Sequence, residues 1–181
     1  PADARGPLFD GLLDTWHRRS ASALTHLKRA CELDPSFAQA FVHLGAAHYL
    51  SGEPEAAIAP LEHALFLAPL DPKRFFAQGE LGTANWMLGR YEECLAIAHN
   101  IQTTHPGYVL AHVLETASYA AMGLYDDARR ARAKLLDEKP HRYRSMLAWI
   151  PFIDRDWARK IRDGVEFDSP PARNLHIVQS S

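Results

Sequence analysis

The sequence predicts an all-α protein: a stack of about four helical hairpins closed by a C-terminal capping helix. Three observations carry this. First, a set of markers recurs. Gly52, Ala57, Ala64 and Pro69 return as Gly89, Cys94, Ile101 and Pro106, and again as Gly123, Ala128, Leu135 and Pro140. Ahead of them stand Arg18, Ala23, Ala30 and Pro35, so the step between copies is 34, then 37, then 34 residues. Second, apolar positions inside a copy follow helical spacing. Phe41, Leu44, Gly45 and His48 form one stripe, and Ala57, Leu61 and Ala64 form another after the Ser51-Gly52 break. Third, small residues sit where two antiparallel helices must approach. Gly45 and Ala57 are expected to face each other, with Phe41 and Leu61 filling the space beside them. One such hairpin cannot bury its stripe alone, so neighbours must stack on it.

Taken in order, Pro7 to Arg19 carries Leu8, Phe9, Leu12, Leu13 and Trp16, a broad apolar stripe expected to form the first helix of the first copy. It departs from the pattern of later copies, as end repeats do when one side faces solvent or another domain. The second copy is the best formed. In the third, the longer step is expected to add one turn to the first helix, with Asp71 as its cap and Pro72 its first residue. In the fourth, Arg129 to Lys134 is a solvated face opposite Ala128, Ala131 and Leu135. His141 to Ile150 predicts one further helix stopped by Pro151. Asp154 can cap a short helix with Trp157 and Ile161, ended by Gly164. The expected array spans residues 1–165, with copies at about 4–37, 38–71, 72–108 and 109–142, a cap at 143–165, and a flexible tail at 166–181.

The unit from Phe37 to Pro69 reads large-x2-Leu-Gly-x2-ring, a glycine turn, Ala-x3-large and a closing proline. It resembles the tetratricopeptide repeat (TPR) family. The resemblance implies a right-handed α–α superhelix, the TPR solenoid, whose first helices line a concave groove for a protein or peptide partner. Carried onto this chain, the groove positions are Val42, Ala46, Tyr49 and Leu50; Phe76, Thr83, Trp86 and Met87; and Leu110, Val113, Ala117 and Ala121. Co-chaperone members grip a C-terminal carboxylate with Lys, Asn and Arg. The comparable places here hold Val42, Ala46, Glu80, Leu110 and Leu114, so no such clamp can be assembled. An apolar groove for a helix or extended peptide is the expectation, the chain's own Asn174 to Val178 included.

A narrower likeness lies in ALFLAPLDP, GRYEECLAIA and PFIDRDWARKIRDG. From about Asp10 to Gly164 the chain is similar to the C-terminal helical-repeat region of bacterial class III adenylate cyclases and of winged-helix regulators. It lacks their closing Leu-rich helix. That likeness implies a sensory or assembly segment of a signalling protein, and makes homo-oligomerisation the alternative to groove binding.

Composition narrows the chemistry. The chain has 181 residues, 47% hydrophobic and 23% charged, ordinary for a soluble domain. No apolar run is long enough for a transmembrane helix, and PADARGPLFDG lacks a secretory signal core, so a cytoplasmic protein without membrane partners is expected. Pro1 without a preceding Met suggests a piece of something longer. Through Leu124 there are 8 basic and 13 acidic residues, and from Tyr125 onward 12 and 9, too mixed for a nucleic-acid stripe. Cys31 and Cys94 are too few for a disulfide scaffold and are expected to be small buried hydrophobes. Ten histidines raise metal binding, but His43 and His48 point to different faces and no HExxH or CxxC occurs. His48 stands in a packing slot; His63, His99 and His112 are expected at helix surfaces or interfaces. GxxxxGK[ST], GxGxxG and GxSxG are absent. A non-enzymatic interaction module without cofactor or metal is the expectation.

Overall fold

The computed structural model describes residues 3–138, 142–149, 152 and 155–166. These contain ten helices and no strand. Four consecutive antiparallel pairs follow the marker positions: α1 (Arg5–Trp16) with α2 (Ser20–Leu33), α3 (Ala38–Leu50) with α4 (Pro54–Leu67), α5 (Arg74–Met87) with α6 (Tyr91–Thr104), and α7 (Val109–Ala121) with α8 (Tyr125–Glu138). Each pair packs on the next, and the first helices also touch their counterparts: α1 with α3, α3 with α5, α5 with α7. This is the TPR-type solenoid.

The small residues allow the close approach expected of them. A Cβ on Gly45 would lie 2.4 Å from Leu61 Cγ and 3.1 Å from the Ala57 carbonyl oxygen. Gly11, one repeat earlier, meets Leu27 at 2.5 Å and the Ala23 carbonyl at 3.3 Å in the same way. The first hairpin therefore keeps the helix-crossing of its neighbours, although its apolar stripe looks different. Ala23, Ala57, Cys94 and Ala128, the second-helix markers, are all fully buried. Burial pushes the Cys31 and Cys94 thiols up, to about 11 and about 12, so both pack as hydrophobes.

The turn markers share a backbone conformation. Gly52, Gly89 and Gly123 have φ of 90°, 75° and 74°, the left-handed region. Arg18 takes their place in the first hairpin with φ of 57°, the one non-glycine residue with positive φ among the described residues. The turn geometry is kept where the glycine is not.

Two expectations are corrected. The extra residues of the third copy do not lengthen its first helix by a turn. Helix α5 starts at Arg74, while Asp71 accepts the Lys73 backbone N–H at 2.8 Å and shapes the connection before it. The insertion is taken up chiefly by the α4–α5 loop, residues 68–73. Nor does Gly164 end the last helix: α10 runs Arg155–Glu166. A Cβ at Gly164 would lie 3.1 Å from Ala117 Cβ, so this glycine serves close packing instead of a C-terminal cap. Helices α9 (Arg142–Trp149) and α10 both pack on α7 and on each other. Pro151, Asp154 and the Asn174–Val178 tail segment lie outside the described residues.

Candidate functional site: a concave wall partly filled by its own C-terminal segment

The TPR resemblance implies a continuous apolar wall along the first helices α3, α5 and α7, open to a ligand. Much of that wall is interior. Tyr49, Leu50, Thr83, Trp86, Met87, Leu110, Val113 and Ala117 are buried. Leu50 faces the first hairpin, sharing a small gap with Thr15, Ser20 and Ala23. Thr83 is turned to its own helix, its hydroxyl donating to the Gly79 carbonyl at 2.9 Å. Trp86 packs beside Tyr91 with ring centroids 6.1 Å apart, and its indole N–H finds no acceptor among the described residues.

The C-terminal segment accounts for part of this burial. Phe152 is fully buried, its ring 6.0 Å from that of Tyr49. Ile161 and Val165 of α10 are likewise buried, in one cluster with Trp86, Met87, Val113 and Ala117. Sequence pattern can show that α10 is amphipathic, with Trp157, Ile161 and Val165 on one side. It cannot show that this side turns back onto α7 instead of extending the stack.

Val42, Ala46 and Phe76 remain partly or largely accessible, Phe76 at 47%. Exposed Ala121 stands at the far end of α7. Val42 and Phe76 line a cavity of about 530 Å³ between α3 and α5, closed at one side by Ala64 and Leu65 of α4, together with Gln39, His43, Ala77 and Glu80. Asp71 and Lys73 border it from the loop that took up the insertion, and Arg74 from the first residue of α5. Phe76 is held on an aromatic cluster: its ring stacks on Phe75 at 4.3 Å and meets Tyr108 edge-on at 5.5 Å. Phe75 in turn stacks on His105 at 4.0 Å.

The polar groups of this cavity are unusual for an apolar groove. Tyr49 donates its hydroxyl to Glu80 Oε2. Burial raises the Glu80 carboxyl above its ordinary range, with the Tyr49 bond opposing the shift. Burial and the nearby Glu80 charge push the Tyr49 and Tyr108 hydroxyls up as well. His43 is pulled down to about 4 by burial, so near neutral pH it is an uncharged ring. In the sequence Glu80 registers only as a residue that spoils a carboxylate clamp. Its position inside the cavity follows from the stacking of α5 on α3.

Other histidines resolve as packing groups. His48 pairs with Glu53 at 2.8 Å and His99 with Glu115 at 3.0 Å. His63 meets Phe41 edge-on at 4.5 Å. His112 is not a surface residue; it is fully buried, bonded through Nε2 to the Pro106 carbonyl at 2.7 Å. Among the described residues no group of three or more His, Cys, Asp or Glu can hold a metal ion, and no helix is long and apolar enough to cross a membrane. A wider, open cleft of about 780 Å³ lies between α9 and α10. Its arginines are engaged, with Arg144 on Glu166 and Arg159 on Asp156, both at 2.9 Å.

Comparison with known proteins agrees with this architecture. A model of the TPR repeat matches residues 21–52, which run from α2 through α3. No curated protein matches the chain in sequence. Among solved structures the chain is similar to MamA at 22% identity and a TM-score of 0.66, covering 90% of this chain and 89% of that one. It is similar to a thermophilic TPR protein in Thermus thermophilus at 21% identity and 0.65, covering 94% and 93%. YrrB, a TPR protein with an unusual peptide-binding site, matches at 19% identity and 0.62, covering 90% and 84%. The repeat match over residues 21–52 and the fold neighbours agree with a TPR-type solenoid fold.

Proposed function

We propose that this chain is a non-catalytic protein–protein interaction module that takes a peptide or helix in the open part of its concave face. The observation that carries the reading is the cavity between α3 and α5, walled by Val42, Phe76 and Ala77 and left open while the C-terminal half of the wall is filled by Phe152 and α10. Half-exposed aromatic rings held on a rigid cluster are the kind of anchor that dominates protein interfaces. The likeness to YrrB, which has a peptide-binding site, supports the same direction. The partner is a protein or peptide, since the mixed charge pattern offers nucleic acid no basic stripe. Affinity capture with the full chain tests the reading. A partner held by the parent and lost by the Val42→Glu, Phe76→Ala double variant, with helical content unchanged, supports it. A partner held equally by both excludes this face.

A second reading has its own observation. Phe9, Leu13 and Trp16 on α1 are 62%, 59% and 54% exposed. One repeat on, their counterparts are His43, Ala47 and Leu50, of which Ala47 and Leu50 are buried and His43 is half-buried. An apolar end face of this kind favours self-association, as in an assembly segment of a cytoplasmic signalling protein such as a nucleotide cyclase or a transcription regulator. Light scattering over a range of concentrations separates the two: a mass that rises with concentration in the parent but not in Leu13→Glu favours assembly through α1.

A further inference from the structure

We infer that the cavity between α3 and α5 is a subsite for a lysine or arginine side chain of the bound peptide, whose charge is taken by Glu80 and whose stem lies along Val42, Ala77 and the Phe76 ring. The inference rests on the peptide-groove reading and assigns the chemistry that groove selects. Glu80 is half-buried in the cavity wall, and among the described residues Tyr49 is the one side chain that bonds it. Among the described residues no cation pairs with it. A carboxylate withdrawn from water without a counter-ion is costly unless a partner supplies the charge, and burial accordingly raises this carboxyl.

The surrounding groups fit a cation with a long apolar stem. Phe76 and Ala77 offer apolar surface, and an aromatic face near a carboxylate favours a guanidinium or ammonium group. The two basic residues that border the cavity do not supply the missing charge. Arg74 donates through Nη1 to the Leu65 carbonyl at 2.7 Å, and Lys73 belongs to the exposed loop. His43 beside them is neutral near pH 7.

The test uses the labelled full chain and a bead library of acetylated, amidated octapeptides, sorted in parallel against Glu80→Gln. The substitution keeps the side chain's shape and can still accept the Tyr49 hydroxyl, and a matched circular dichroism spectrum confirms its fold. The inference expects Lys or Arg to be enriched at one position for the parent. It expects a representative peptide to bind the parent at least tenfold tighter than its Gln-substituted form, and Glu80→Gln to abolish that preference. Phe76→Ala should weaken both peptides. Peptides retained without basic enrichment, or a basic preference that survives Glu80→Gln, overturn the inference and leave the groove reading standing. A library from which nothing is retained overturns both.

Discussion

Leu61 fills the space that a side chain on Gly45 would need: a Cβ on the glycine would lie 2.4 Å from Leu61 Cγ, closer than two non-bonded carbons can come. The crossing of α3 over α4 therefore depends on the absence of a side chain at one position and the shape of one at the other. Gly45→Leu and Ala57→Leu should each cost about 1–3 kcal/mol, the usual penalty for overpacking a formed core. Arg130→Ala, on the exposed face of α8, should stay within about 0.5 kcal/mol. Urea denaturation midpoints measure all three, and equal midpoints would mean the crossing is not packed as described.

Arg18 holds a left-handed backbone that its three counterparts assign to glycine. For a residue with a Cβ that conformation costs about 1–2 kcal/mol, of which glycine's greater freedom in the unfolded chain returns about 0.5–1 kcal/mol. Arg18→Gly should therefore raise stability by about 0.5–1 kcal/mol, seen as a higher thermal midpoint. The reverse change, Gly89→Arg, should lower it. A lower midpoint for Arg18→Gly would show that the arginine side chain contributes more than its backbone costs.

These two positions mark what the sequence makes legible. Spacing locates the hairpins, the Gly45–Ala57 approach and the turn at Arg18, because each is a local demand repeated at fixed intervals. Gly11 gives a weaker signal because Asp10 stands where the second and third copies have Leu44 and Leu81, though Leu27 and Ala23 repeat the later contacts. The burial of Tyr49, Trp86 and Met87 is not legible. They are groove positions by the TPR resemblance, and the return of Phe152 and α10 onto α7 contributes to making them interior. That return depends on a contact far apart in the chain, Gly164 on Ala117, for which periodicity has no signal.

Phe152 is the residue that joins the C-terminal segment to α3. Phe152→Ala should cost about 3–5 kcal/mol if its surroundings do not collapse, enough to loosen α10 from α7. Native-state hydrogen exchange should then show lost protection in α10 while α3 to α6 keep theirs. Uniform loss across all hairpins would make the C-terminal segment part of a single cooperative unit; unchanged protection in α10 would show that Phe152 does not anchor it.

Acid stability follows from His43. Its folded value is depressed to about 4 from an ordinary 6.5, so below pH 6.5 the unfolded chain binds a proton that the folded chain refuses. The stability this group contributes is fully present above pH 6.5 and is lost as pH falls towards 4. Glu80 acts with the opposite sign: its raised value favours the protonated form in the fold, so its contribution weakens as pH climbs through the carboxylate range. Urea midpoints from pH 7 to pH 4 should fall for the parent and fall less for His43→Gln. Matching profiles would mean that His43 is not held neutral by burial.

The open cavity between α3 and α5 is the centre of the functional account, and a footprint of bound peptide tests it most directly. Amide hydrogen exchange on the full chain, with and without a peptide recovered from the octapeptide library, reports where the ligand lies. The account predicts new protection in the first halves of α3 and α5, around residues 38–43 and 74–80, with α10 unchanged. Protection confined to α1 around Phe9, Leu13 and Trp16, or to the outer helices α6 and α8, would contradict it.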